Sequence, residues 1–175
     1  MFSIYVDADS LPQRLRKIIL SRAVKENRPA YFVADRMLTD VSEKIGEHTA
    51  LLRAPHRATL DRNELRKIRS SIVMIVVETG ENSADDRIAE LVSAGDLVIS
   101  HDVGLSERVI EKGATALDDR GNIYTAANIR ERVSERDYMK AFREMGLNDL
   151  KQKSLSEKDY QRFSNSFDSL IAKLS

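Results

Sequence analysis

Six consecutive apolar residues, Ile72-Val73-Met74-Ile75-Val76-Val77, constrain this chain more than any other stretch. A short, β-branched run with no polar member predicts a strand covered on both faces, as in a parallel sheet between helical layers. Shorter runs predict further strands at 2–6, 30–34, 97–99 and 115–117, a pairing segment at 123–124, and another strand at 49–52. Helical patterns alternate with them. One is capped by Asp9 or Ser10, with Leu11, Leu15, Ile18, Ile19 and Ala23 on its apolar face. Others run from Thr39 to near Gly46, over 60–69, from Ser83 to Gly95, over 105–112, from Thr125 to Gly146, and from Ser156 onward. Alternating strands and helices imply right-handed βαβ units, and so an α/β class three-layer α/β/α sandwich with a mostly parallel sheet and added C-terminal helices. The expected organisation is an α/β domain over 1–146, with a linker and helix over 147–175 packed on the same domain.

The charge pattern narrows the chemistry. The chain has 28 Lys+Arg against 28 Asp+Glu, so no overall field draws it onto a polyanion. It has no cysteine, which excludes disulfides, zinc–thiolate and iron–sulfur centres, and cysteine nucleophiles. Its three histidines, at 48, 56 and 101, have no zinc-like spacing. A bound metal would be a hard cation on carboxylates. The apolar N-terminal run is too short for an export signal and no run approaches a membrane span, so the expected location is the cytoplasm, away from membranes.

The acids fall where strands end. Asp7 and Asp9 follow the first strand, Glu78 follows the 72–77 run, Asp85 and Asp86 open the next helix, and Asp102 follows the 97–99 strand. In a parallel sheet these ends share one edge, where ligands bind. Clustered carboxylates repel, and Mg²⁺ or Mn²⁺ relieves that repulsion while leaving positions for water and phosphate. The expected metal ligands are Asp7, Asp9, Asp85 and Asp102, with Asp7, Asp85 and Asp102 catalytic. Plainer roles compete: Asp9 as a helix cap, Asp86 in a capping box with Ser83, Ser100 as a cap or phosphate contact, His101 as a loop residue. Ser83, Asp86, Ser100 and His101 are accessory candidates. Two basic stretches, the first helix and 53–69, are candidate phosphate contacts. In the second, Arg57, Arg62 and Arg66 are the candidate nucleic-acid ligands. Aromatics make up only 6% of the chain, and none interleaves with residues 53–69, which argues against a base-stacking platform.

Four blocks carry a resemblance: residues 6–12 (Val-Asp-Ala-Asp-Ser-Leu-Pro), 83–88 (Ser-Ala-Asp-Asp-Arg-Ile), 95–105 (Gly-Asp-Leu-Val-Ile-Ser-His-Asp-Val-Gly-Leu) and 120–129 (Arg-Gly-Asn-Ile-Tyr-Thr-Ala-Ala-Asn-Ile). In this order they resemble the bacterial YaiI/YqxD family, which in turn resembles PIN-like nuclease domains. That resemblance implies a cytoplasmic α/β/α protein with an acidic Mg²⁺/Mn²⁺ site. Asp7, Asp85 and Asp102 match the PIN-like acids, and Asp9 is the family's own second acid. The further helix acid of PIN-like domains has Glu43, Glu47 and Glu64 as candidates. Leu11 stands where many family members have cysteine.

Three functions follow as expectations. One is a metal-dependent phosphodiesterase acting on nucleic acid, RNA first. The second is a non-catalytic module of the same fold that binds nucleic acid or protein. The third is a haloacid-dehalogenase-type phosphatase with Asp7 as nucleophile and Asp9 as acid/base. Phe163 and Phe167 on the last helix serve either internal packing or a homodimer contact.

Overall fold

The computed structural model describes residues 1–147 and 153–175. Residues 148–152, within the expected linker, lie outside the described residues. Six strands form one sheet: β1 (Ile4–Asp7), β2 (Ala30–Ala34), β3 (Ile72–Val76), β4 (Leu97–Ile99), β5 (Thr115–Leu117) and β6 (Ile123–Tyr124). Their order is β3-β2-β1-β4-β5-β6. The first five are parallel, and β6 turns back antiparallel on β5.

Side-chain alternation splits the core into two layers. Ile4, Val6, Phe32, Leu97 and Ile99 face one side, where α1 (Gln13–Glu26), α2 (Thr39–Arg53) and α7 (Glu157–Leu174) cover them. Tyr5, Val33 and Val98 face the other, under α4 (Ser83–Leu91), α5 (Val103–Glu111) and α6 (Ile129–Glu144). This is a three-layer α/β/α sandwich, and the period of two along each strand is its cause.

The last helix belongs to the first layer. Phe163 and Phe167 are fully buried and stack with ring centroids 5.9 Å apart, so neither is left for a second copy. Ser156 caps α7 in a reciprocal box with Asp159, as its sequence predicts. The Gly121 turn and α7 meet closely: Gly121 has φ 84°, and its carbonyl accepts the Ser166 hydroxyl at 2.7 Å.

Four local expectations are corrected. The 72–77 run is not covered on both faces: β3 is an edge strand, with Val73 39% and Val76 49% exposed. An apolar run gives no sign of whether a neighbouring strand exists. Residues 49–52 are helical, because α2 continues through Gly46 to Arg53 and buries Val41 and His48. The 60–69 helix shrinks to α3 (Arg62–Lys67), set by an Asp61–Glu64 capping box. Thr125 sits in a turn before α6 and accepts the amide of Ala127, while Asn128 holds the N-cap position.

Candidate functional site

Parallel pairing fixes the site. Val6 is level with Ile99, and Asp7 with Val33, so the chain leaves β1 and β4 side by side. Asp7 is the last residue of β1, and its carboxylate is buried. Its Oδ2 accepts the Ser100 hydroxyl at 2.8 Å, and Ser100 Oγ in turn accepts the Asp102 amide at 2.9 Å. One serine thereby ties the ends of two strands together. Asp102 is the N-cap of α5, its Oδ1 accepting the Leu105 amide at 3.1 Å. Asp85, in the first turn of α4, shares a hydrogen bond with the Asp102 carboxyl.

The electrostatics follow from crowding. Burial raises the Asp7 pKa, with the charges of Asp102 and Asp9 adding to it and the hydroxyls of Ser100 and Ser10 opposing it. Asp85 is pushed up to about 7 by burial first, then by the charges of Asp7 and Asp102 and the shared hydrogen bond. The Arg108 charge only partly offsets this. A carboxyl held at such a value keeps its proton up to about neutral pH, because the charge of its neighbours is not fully offset.

Asp9 lies at the rim. It does not cap α1, whose N-cap is Pro12. Instead it accepts the Asp35 amide at 2.9 Å and pairs with Arg36 at 3.1 Å. A cleft of about 130 Å³ separates Asp9 and Asp35 from Asp85, with Gly80, Asn82 and Ser83 along its side. Asp86 forms no capping box with Ser83, since α4 is capped by Asn82 in the left-handed conformation. It pairs with Arg108 at 2.8 Å, across to α5. The Nδ1 of His101 lies 3.0 Å from Asp119, whose hydrogen bond raises the imidazole's pKa.

Asp119 belongs to a neighbouring cleft of about 560 Å³, lined by Asp118, Asn122, Tyr124, Arg132 and Arg162 among others. The same signal that singles out Asp7 marks it: Asp118-Asp119 directly follows a parallel strand, β5. The run also reads as an ordinary turn, which hides it.

The arginines are elsewhere. On α1, Arg14 pairs with Glu157, Arg16 with Asp40 and Arg22 with Glu26, so the three arginines of the first basic face are occupied within the chain. Arg57, Arg62 and Arg66 line a separate cavity of about 480 Å³ with Arg53. α2 begins after β2 at the acidic edge and, at 15 residues, spans about 22 Å. At its far end Arg53 donates to the Ile68 carbonyl, just before β3. The cluster therefore sits at the opposite edge of the sheet from Asp7. Among the helix-acid candidates, Glu47 pairs with Lys44 and Glu64 caps α3.

A divalent cation fits the donor set by its chemistry: oxygen ligands only, with negative charge in excess. As the side chains stand they do not form a cage. Among the described residues, no three acidic or histidine side chains are grouped so as to hold an ion. Asp85 is half-buried there and Asp102 exposed.

No described helix is long and apolar enough to cross a membrane. No solved structure matches the chain. Its relatives include a UPF0178 protein of Desulfotalea psychrophila, 36% identical over 98% of both chains. Another, from Trichlorobacter lovleyi, is 33% identical over 98% of this chain and 95% of its own. A third, from Syntrophotalea carbinolica, is 34% identical over 97% of each. The family model described as "Uncharacterized BCR, YaiI/YqxD family" matches residues 53–173. With full-length relatives above 30% identity and a family model over most of its length, the chain belongs to the YaiI/YqxD family.

Proposed function

We propose that the acidic edge is the active site of a divalent-cation-dependent phosphodiesterase acting on nucleic acid, with RNA as the substrate to test first. The observation that supports this is the convergence of Asp7, Asp85 and Asp102 from the ends of separate elements, with Asp85 shifted to about 7 by the other two and by burial. Asp7, Asp85 and Asp102 would hold Mg²⁺ or Mn²⁺, with Asp9 assisting from the rim. The ion, when bound, supplies an activated water and neutralises charge on the phosphodiester.

The chain's own residues do the rest. Ser100 orients the buried Asp7 carboxylate and, through the Asp102 amide, fixes the start of α5. Asp85 gives up its proton when a cation arrives, since proton and cation compete for the same charge. Arg36 and the Asp35 amide hold Asp9 at the cleft mouth.

The test is cleavage of labelled single-stranded and hairpin RNA with Mn²⁺ or EDTA, by the wild type and by Asp7→Asn. Cleavage is expected with Mn²⁺ only, and to fall to background in Asp7→Asn. RNA bound equally well by both proteins, insensitive to chelation and never cut, would instead make the protein a binding module.

A further inference from the structure

β3 closes one side of the sheet, and its own sequence leaves it unguarded. Residues 72–77 contain no charge, proline or glycine. The Ser71 carbonyl accepts the Ala30 amide, and the Val77 amide donates to Ala34. Odd-numbered backbone groups therefore face β2, and those of Ile72, Met74 and Val76 point out of the sheet. Of these, the Ile72 amide is satisfied by the Ser70 hydroxyl. Edge strands are ordinarily blunted by lysine, proline or a bulge, and a bare one is a template for another strand.

The charges on either side of β3 select the occupant. The chain entering it carries Arg57, Arg62 and Arg66, none with a counter-ion among the described residues. The chain leaving it carries Glu78 and Glu81, both exposed and likewise unpaired. A strand that is basic at its start and acidic at its end complements itself when antiparallel. A two-fold axis at Met74 sets Ile72 opposite Val76 of the second copy, so that the outward groups of Met74 and the Val76 amide find partners while the Ile72 amide keeps the Ser70 hydroxyl.

We propose that the protein is a two-fold dimer in which β3 pairs antiparallel with β3 of a second copy, placing the arginine cluster of each protomer beside the acidic edge of the other. Within one chain these arginines lie at the wrong end of the sheet to hold a substrate. Across the pair they flank the loop that leads from Glu78 to Asp85. Their use on substrate rests on the phosphodiesterase reading; the dimer does not.

The lack of cysteine makes the interface directly readable. Met74→Cys is expected to oxidise to a disulfide-linked dimer, because paired Cα atoms in such a register lie about 5.5 Å apart. Tyr138→Cys, exposed on α6 beyond the other side of the sheet, is expected not to. Sedimentation should give twice the 19.8 kDa chain mass for the wild type. Val76→Lys, at an exposed position, should give a monomer with an unchanged circular dichroism spectrum. A monomeric wild type at tens of micromolar, or a Val76→Lys protein that remains dimeric, overturns the interface.

The arrangement in trans has its own readout. Spin labels at Arg62→Cys in one protomer and Glu81→Cys in the other should lie closer together than the same two labels within one protomer. The reverse order refutes it. For activity, Asp7→Asn mixed equally with an Arg57→Ala/Arg62→Ala/Arg66→Ala chain should recover about a quarter of the wild-type rate, since half the dimers are mixed and each has one complete site. Recovery of none, in a mixture shown to exchange subunits, places the arginines outside the site. If the wild type cuts no RNA, the cleavage reading falls alone, and the disulfide and spin-label results decide the dimer.

Discussion

The Ser100 hydroxyl donates to Oδ2 of Asp7 at 2.8 Å, joining the ends of β1 and β4 through one buried contact. Ser100→Ala leaves that carboxylate without its main donor, at a cost of about 1–3 kcal/mol at pH 7. Burial already places the Asp7 pKa above its ordinary value, so its ionisation opposes folding as pH rises, and losing Ser100 increases that opposition. The loss measured by urea unfolding should therefore be smaller at pH 4 than at pH 7, since a raised Asp7 pKa means that more of it takes up a proton as pH falls. An equal loss at both values would mean that Ser100 acts through the Asp102 amide instead.

Asp85 supplies a second pH effect. Its folded value of about 7 lies above the ordinary 3.8, so the folded state binds the proton more tightly. Its contribution to stability is greatest below about 4, and is lost as pH rises through about 7. Asp85→Asn removes this loss. The variant should melt a few degrees above the wild type at pH 8, with the difference vanishing near pH 4. Mn²⁺ should raise the wild-type melting temperature at pH 8 more than at pH 5.5, where protons compete, and should raise that of Asp85→Asn less.

Two glycines should respond with opposite signs. Gly46 lies inside α2 with nothing within 4 Å of an added Cβ, so Gly46→Ala should stabilise by about 0.5–1 kcal/mol through helix propensity. Gly121 has φ +84°, and a Cβ there would lie 2.7 Å from the Arg162 backbone. Gly121→Ala should push α7 off its seat and lower stability by more than about 2 kcal/mol. Denaturant midpoints of the two variants check both signs.

Asp118 organises the β5–β6 turn. Its carboxylate accepts the amides of Arg120 and Asn122, the Asn122 side chain and the Tyr124 hydroxyl, at 2.8–3.0 Å. Asp118→Ala should cost about 2–4 kcal/mol, because it strands several donors at once. Tyr124 titrates above its ordinary value, through burial first and the Asp118 charge second. In Asp118→Asn the phenol should ionise at lower pH, as read by ultraviolet absorbance.

The strands were legible in the sequence because buried parallel strands demand continuous apolar residues, and the three-layer arrangement followed from their alternation with helices. What stayed hidden was relational. Residues 72–77 show apolarity on both faces but give no sign that the strand lacks a neighbour. Asp7, Asp85 and Asp102 meet because strand ends share an edge, a rule the sequence can be read by. The arginines of 53–69 miss that edge because α2 runs on through Gly46, and a glycine that merely tolerates a helix looks like one that ends it. His101 and Asp119 pair across 18 residues, a contact that no local pattern announces.

Phe163, Phe167, Leu170 and Ile171 fill the same layer as Phe2, Ile4 and Val6. During synthesis, then, the part of this layer that α1 and α2 do not cover stays open until α7 has been translated. A premature stop before α7 would leave that apolar surface in water, and the shortened product is expected to aggregate.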